Sequence, residues 1–568
     1  MTPTPPGNAG LRVWQRIRRY AVPAAMVEAC TAARVAGDWR AGCAAARIDV
    51  GVDLAEVARE HGRRQAERIE ADLAVLAPDL LRWHLPRTLG GRTSLGTHQQ
   101  WVLSTRDDRL DDTDPVLVVQ LPKTVDGSQR LRLTVRLVRQ QRDGVRDLPP
   151  VFWSVDHVAG LAVAYGGSPA RLPGFEPDGT PRPFEAYATG VDPADPASRA
   201  EAFDRLAAVG QLVTAWAVAG VELDPAEPEG FRYEKAIAHV RAAGLVPIGL
   251  PAELARLHTR YGAARVMVGE RWRYVAAIER RDDGTPAASF VGFDRDSYLH
   301  PALAPVVHAR PADLELVRHG LLNPAELHPL VRRALFPYAP AGGPPRAEPL
   351  DLRRSVPVRC RGEWHTVVHA DGRLEPVSHT PEEVAREQVL RTLGGPVAGC
   401  FAAVQAWRTA DGRLPRPLRE LRREVLQRLQ HGGSAALGDL LDAGLDPQMR
   451  DGRGRTLLHH VRSVRDVGLV RRLVDAGVPI EVADRRGRTA LHVTIGDGGT
   501  PEMVRALLEA GADPGATDAE GTSVAELAEY KWEMYVMDPD DPAGAEDVDE
   551  EYRGPLLVRT VLDEWKQR

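Results

Sequence analysis

Apolar residues recur at helical spacing through the first stretch of the chain. Residues 24–36 are Ala-rich, and in residues 54–76 Leu54, Val57, Ala58, Ile69, Leu73 and Leu76 share one helical face. Pro78, Pro86 and the Gly90-Gly91 pair close this region, so residues 1–97 are expected to be mainly helical. The period then changes to two. Residues 115–121 (PVLVVQL) and 130–138 (RLRLTVRLV) predict strands, the second alternating Leu131, Leu133, Val135 and Leu137 with Arg132, Thr134 and Arg136. The Asp-Gly between them marks a turn, and residues 151–155 predict a further strand. Residues 98–190 are therefore read as β-rich, with a Pro-, Gly- and Asp-rich loop over 168–198.

Residues 191–345 read as α/β. Helices are predicted at 199–220, 233–243, 251–260 and 311–335, and strands at 265–278 and 289–293. The most apolar segment, 209–223, is too short for a membrane span and carries Gln211 and Thr214, so a buried helix is expected. Residues 338–350 (YAPAGGPPRAEPL) form the clearest linker. Beyond it, residues 346–412 predict a β-hairpin plus helices: strands at 356–361 and 364–369, a turn at Ala370-Asp371-Gly372, and helices at 381–393 and 397–409.

From residue 432 the chain becomes self-similar, with a period of about 33 residues. Ala443-Gly444-Leu445-Asp446 recurs as Ala476-Gly477-Val478-Pro479 and as Ala510-Gly511-Ala512-Asp513. Gly454-Arg455-Thr456 recurs as Gly487-Arg488-Thr489 and as Gly521-Thr522, and His459 recurs as His492. GRGRTLLHH followed by VGLVRRLVDAGVPIEVADRR, and GRTALHVTI followed by PEMVRALLEAGADPGATDAE, resemble the ankyrin repeat. Leu457 and Ala490 replace the family's Pro after Thr, and the last copy has Ala525 in place of the His. The resemblance covers 413–568 and implies about four repeats, each a helix pair with a projecting finger. Thr456, His459, Gly477, Thr489, His492 and Gly511 are then structural motif residues: hydroxyl caps, turn-bracing imidazoles and left-handed helix ends. Leu473, Val474, Leu507 and Leu508 would form the core between repeats. An acidic insertion at 531–553, rich in Asp and Glu from Asp538 to Glu551, would interrupt the last repeat at the end opposite the fingers.

Composition narrows the function. Basic and acidic residues nearly balance at a net charge of −6, a poor footprint for nucleic acid. The basic residues are nearly all Arg. The only lysines are Lys123, Lys235, Lys531 and Lys566, none of them in a phosphate-binding loop or kinase motif. This Arg-, Ala-, Gly- and Pro-rich usage fits a GC-rich bacterial genome. No secretory h-region precedes Arg12, Arg16, Arg18 and Arg19, so a cytoplasmic protein is expected, with its first helix on the protein surface rather than on a membrane. Cys30, Cys43, Cys360 and Cys400 form no C-x-x-C pair, and buried thiols are expected. His365 and His369 share a strand face but show no third ligand, so neither a metal nor a cofactor is expected. Asp156-His157 and Arg82-Trp83-His84 read as structural pairs, and most of the scattered tryptophans, Trp39, Trp83, Trp101, Trp153, Trp272 and Trp364, read as core. Leu250-Pro251-Ala252-Glu253-Leu254 with Tyr261-Gly262, leading into Trp272, resembles a short signature of SUKH-type bacterial immunity proteins.

The fold class expected is α+β multidomain: a mixed helical/β N-terminal region and a C-terminal all-α ankyrin solenoid. The ankyrin resemblance implies a protein partner rather than a reaction. Arg450, Arg453 and Arg455 fall on the first finger, Arg485, Arg486 and Arg488 on the second, and Asp518 and Glu520 on the third. These six arginines are the candidate partner-binding residues, with no catalytic residue expected. An enzyme or toxin-like effector whose repeats recruit substrate, or an immunity or inhibitor protein, are the alternatives.

Overall fold

The computed structural model describes residues 8–88, 92–140, 145–226, 245–270, 273–281, 283–291, 300–346, 350–360, 362–395, 397–536 and 550–567. The expected helix at 233–243, Trp272 and most of the acidic insertion (Asp538, Asp540, Asp541, Glu546, Asp547 and Asp549) lie outside the described residues, as do the side chains of Glu550 and Glu551. The chain forms two compact units: Met1–Pro122 with Arg130–Ala347, and Lys123–Gln129 with Glu348–Arg568.

The first unit mixes helices with two four-stranded sheets. In one sheet the order is β1-β4-β3-β2, from β1 (Ile48–Gly51), β2 (Gln100–Leu103), β3 (Pro115–Gln120) and β4 (Leu131–Leu137). β3 is a continuous apolar run because both its faces are covered. Leu117 and Val119 join the main core, while Val116 and Val118 pack with Val102, Leu110 and Val138. β4 alternates, with Leu131 and Leu133 buried and Arg132 and Thr134 partly exposed. β1 falls inside the stretch read as helical; it pairs in parallel with β4, a long-range contact without local signature. Residues 151–155 are not a strand. Pro150–Phe152 forms a 3₁₀ turn, and Ser154 makes only an isolated bridge to Leu76.

The second sheet has the order β5-β8-β7-β6, from β5 (Glu222–Leu223), β6 (Arg265–Glu270), β7 (Arg273–Arg280) and β8 (Pro286–Phe290). Helices Ala197–Ala208, Leu212–Val218 and Leu250–Tyr261 share its core. The apolar segment 209–223 is only partly the buried helix expected. Gly210 adopts φ 84° and breaks the helix, leaving Val209 and Val213 exposed. The first helix, Asn8–Tyr20, buries Leu11 and Ile17. Its Arg18 is also buried: Nε donates to Asp313 Oδ1 at 2.7 Å and Nη1 to the Trp83 carbonyl at 2.7 Å. That helix face is thus spent inside the first unit. Among the described residues no helix is long and apolar enough to cross a membrane.

The second unit opens with a three-stranded meander, β9 (Val356–Cys360), β10 (Glu363–Ala370) and β11 (Arg373–Pro376), in the order β11-β10-β9. Asp371 and Gly372, at φ 48° and 71°, form the two-residue turn between β10 and β11. Helices Pro381–Thr392 and Gly399–Thr409 follow. Helix pairs come next. Arg416–Asp442 is broken at Gly433, and the partners after it are Leu457–His460 with Gly468–Asp475, and Ala490–Gly496 with Pro501–Glu509. Val524–Val536 with Glu550–Lys566 completes the series. One core runs from Leu352 and Val367 through Trp407 and Leu473 to Leu562, so the meander and the helix pairs are packed as one body.

Candidate functional site

Each repeat turns into the next through the same local chemistry. Gly444, Gly477 and Gly511, at φ 89°, 83° and 96°, end their helices. At Gly477 the Val478 N–H reaches the Leu473 carbonyl at 3.0 Å and the Gly477 N–H reaches Val474 at 2.8 Å, a Schellman closure. The chain then projects a finger and re-enters a helix at Thr456 or Thr489. Here the imidazoles act as braces. His459 Nδ1 accepts from the Thr456 N–H at 3.0 Å, so its proton sits on Nε2, which donates to the Arg488 carbonyl of the next finger at 3.0 Å. His492 repeats the arrangement with Thr489 at 3.3 Å and the Thr522 carbonyl at 3.3 Å. Burial, outweighing the hydrogen bond to Arg488, pulls His459 down to about 4 and keeps it neutral.

The finger turns depend on an aspartate whose turn-holding role sequence reasoning passed over. Asp451 Oδ1 accepts from the Arg453 and Arg455 N–H groups at 2.7 and 3.0 Å. Asp484 Oδ1 accepts from Arg486 and Arg488 at 2.8 and 3.2 Å, and Asp518 Oδ1 from Glu520 and Thr522 at 2.9 Å each. The signal was present, since Asp451, Asp484 and Asp518 share the repeat period. Backbone bonds join neighbouring fingers, Arg485 N–H to the Arg453 carbonyl and Ala519 N–H to the Arg486 carbonyl, both at 2.9 Å.

The six candidate arginines separate into two groups. Arg455 is buried, and its Nε donates to Asp484 Oδ2 at 3.2 Å; Arg488 Nη2 meets the same oxygen at 2.9 Å. Burial would raise the Asp484 carboxyl, but the Arg488 side chain and the backbone N–H groups of Arg486 and Arg488 outweigh it and hold it low. Arg455 thus cross-links the first finger to the second, while Arg488 braces the second finger on itself. Arg450 is half-buried, its N–H donating to the Trp407 carbonyl at 2.9 Å. Arg453, Arg485 and Arg486 remain exposed. Arg485 Nη2 donates to the Ala410 carbonyl at 3.0 Å. Arg453 Nη1 donates to Asp126 Oδ2 at 2.8 Å, in the short segment 123–129 that belongs to this unit. Arg462 Nε donates to the Asp126 carbonyl at 2.8 Å, and Thr124 Oγ1 to the Asp497 carbonyl at 2.8 Å. The array thus already holds one loop of its own chain by the Asp126 carboxylate against its first finger.

The other sequence candidates sit in structural roles. His84 is buried, hydrogen-bonded to the Phe152 carbonyl at 3.0 Å and pulled down to about 4 by burial. Arg82 and Trp83 are fully buried, and Trp83 Nε1 donates to Asp313 at 2.9 Å. His157 is exposed and its Nδ1 lies 2.9 Å from the buried Ser154 hydroxyl three residues back, a turn contact. Leu250–Tyr261 is a helix closed by Gly262 at φ 67°, and its Arg260 and Tyr261 both bond the buried Asp147, at 2.8 and 2.6 Å. His369 is buried edge-on to Trp407, whereas His365 turns to His379, with Nδ1 and Nε2 2.9 Å apart. Cys360, His365, His379 and Cys400 come together as possible metal ligands. Burial first, and then the neighbouring Cys360, push the Cys400 thiol up to about 12.

Compared with known families, residues 428–518 match the family model described as ankyrin repeats, in three copies. No curated protein matches the chain.

Proposed function

We propose that the chain is a bacterial cytoplasmic interaction protein that binds a partner protein through the fingers of its ankyrin repeats. Ankyrin repeats are generally protein–protein interaction modules, and the region 428–518 belongs to that class. In this reading the array extends over 413–568 as four repeats, and residues 1–412 supply the output that partner binding directs. The partner presents acidic side chains. The observation that carries this is the charge remaining at the finger tips. After Asp484 has taken up Arg455 and Arg488, the cations of Arg453, Arg485 and Arg486 still face outward beside half-buried Arg450. Arg453 already grips a carboxylate, that of Asp126, in a geometry that a partner's Asp or Glu could take over.

The test is capture from the native cytosol with the full chain and with a variant carrying Arg450, Arg453, Arg485 and Arg486 changed to Glu. A specific protein is expected with the first. It should weaken as salt is raised, and it should be lost with the variant even though the variant's circular dichroism is unchanged. A partner that binds both chains equally, with no salt dependence, would sink the basic-finger reading.

A further inference from the structure

Four side chains from four separate segments of the second unit converge on one point. Cys360 ends β9, His365 lies on β10, His379 precedes the helix Pro381–Thr392, and Cys400 opens the helix Gly399–Thr409. One ligand atom from each lies within 4.8 Å of all the others. Cys360 Sγ is 3.8 Å from His379 Nε2, which is 2.9 Å from His365 Nδ1. We propose that Cys360, His365, His379 and Cys400 bind a zinc ion in a closed, structural two-thiolate, two-imidazole site. Tetrahedral zinc with ordinary bond lengths holds such atoms about 3.3–3.8 Å apart, so the cluster needs only small adjustments.

The surroundings argue for a cation rather than a chance meeting. The outer nitrogen of each imidazole faces a carboxylate: His379 Nδ1 lies 3.2 Å from Glu383 Oε2, and His365 Nε2 lies 3.7 Å from Glu363 Oε2. Glu383 is itself fixed by the Thr380 N–H at 3.1 Å. With a metal bound, both protons point outward to carboxylates and both lone pairs point inward, the arrangement that orients zinc-binding histidines. Without a cation, one of the two facing nitrogens has to carry the proton. If His365 does so, its lone pair turns toward the Glu363 carboxylate. Gly399 makes the meeting of the thiols possible. At φ 58° it packs so closely that a Cβ there would stand 2.3 Å from Cys360 Sγ. Cys360 and Cys400 are both buried, Cys400 in the first turn of the helix Gly399–Thr409, and a coordinated dication supplies the positive charge that two buried thiolates need.

Binding releases the two thiol protons to solvent, and the dication then balances the two thiolates in a neutral centre. Four protein ligands leave no open position, so the ion would brace structure. It would tie the meander to both following helices. The second of these offers the Trp407 carbonyl to Arg450 of the first finger, and β11 donates its Leu374 N–H to Asp446 at 3.0 Å. The zinc would thus stiffen the platform on which the repeats begin. This inference does not depend on the partner-binding reading.

The experiment uses the full chain, purified under reducing conditions without chelator. Metal analysis should find about one zinc per chain. Replacement by cobalt should give the ligand-field bands of a tetrahedral site and a thiolate-to-cobalt charge-transfer band. The Cys360→Ser/Cys400→Ser variant, which retains Cys30 and Cys43, should lose both the zinc and the band. Should that variant fail to fold, Glu383→Gln keeps the ligand set. It should retain the cobalt spectrum while losing zinc to a competing chelator 10- to 100-fold more readily. The site is refuted if the reduced full chain gives no charge-transfer band, if the band survives the double substitution, or if Glu383→Gln leaves zinc affinity unchanged. A Cys360–Cys400 disulfide in the native chain would refute it as well.

Discussion

Asp484 offers the sharpest test of how the fingers are held. Its two oxygens accept from two backbone N–H groups and from two arginines, one of which, Arg455, is only 3% exposed. Changing Asp484→Ala removes the acceptor and leaves a buried guanidinium without its carboxylate. The other acid near Arg455, Asp126, is 3.8 Å away, beyond hydrogen-bond reach. Breaking a buried pair from one side costs about 3–5 kcal/mol, most of it from the stranded charge. Arg455→Met removes that charge, so the double variant should recover part of the loss, with a coupling energy of about 1–3 kcal/mol. Hydrogen exchange read by mass spectrometry on the full chain localises the effect. At about 1.4 kcal/mol per decade, Asp484→Ala should speed exchange of peptides spanning 451–456 and 484–496 a hundredfold or more. Peptides of the first unit should be unchanged. A coupling energy below about 0.5 kcal/mol would refute the cross-link.

Other predictions follow from the same contacts. His459 is pulled down to about 4 in the folded chain, so between that value and the ordinary histidine value near 6.5 the unfolded chain binds more protons. Its stabilising contribution is complete above about 6.5 and falls by about 2 kcal/mol by pH 5, seen as a lower urea midpoint whose pH slope flattens in His459→Leu. Buried His84 and His308, also pulled to about 4, add to the same acid sensitivity in the first unit. Gly399→Ala should lower the thermal midpoint, costing more than about 1 kcal/mol, because positive φ and the Cys360 thiol both oppose a Cβ. Gly438→Ala, in a helix with nothing within 4 Å of its new Cβ, should raise stability by about 0.5–1 kcal/mol. If both alanines behave alike in calorimetry, the close approach at Gly399 is wrong.

What the sequence determined by itself is local or periodic. The repeat was legible because each copy must satisfy the same backbone groups with the same residue types. A left-handed glycine closes one helix, and a Thr and a His open the next at a fixed spacing. The alternation in residues 130–138 and the Asp-Gly turn before β11 were readable for the same reason, since neighbours in sequence decide them. β1 was not readable, because four residues become a strand only through a partner some eighty positions away. Nor could spacing say which of the finger arginines are neutralised. The repeat aligns Arg455 with Arg488 and Arg453 with Arg486, but only packing shows that the first pair is taken up by Asp484 while the second pair stays exposed. The cysteine–histidine cluster is the extreme case. A search for closely spaced ligand pairs finds His365 only with His369 and passes over Cys360, His379 and Cys400, whereas His365 pairs across space with His379. Periodicity fixes what a segment prefers to become. Which charges are neutralised, and which ligands meet, is set by the burial of surfaces that are distant along the chain.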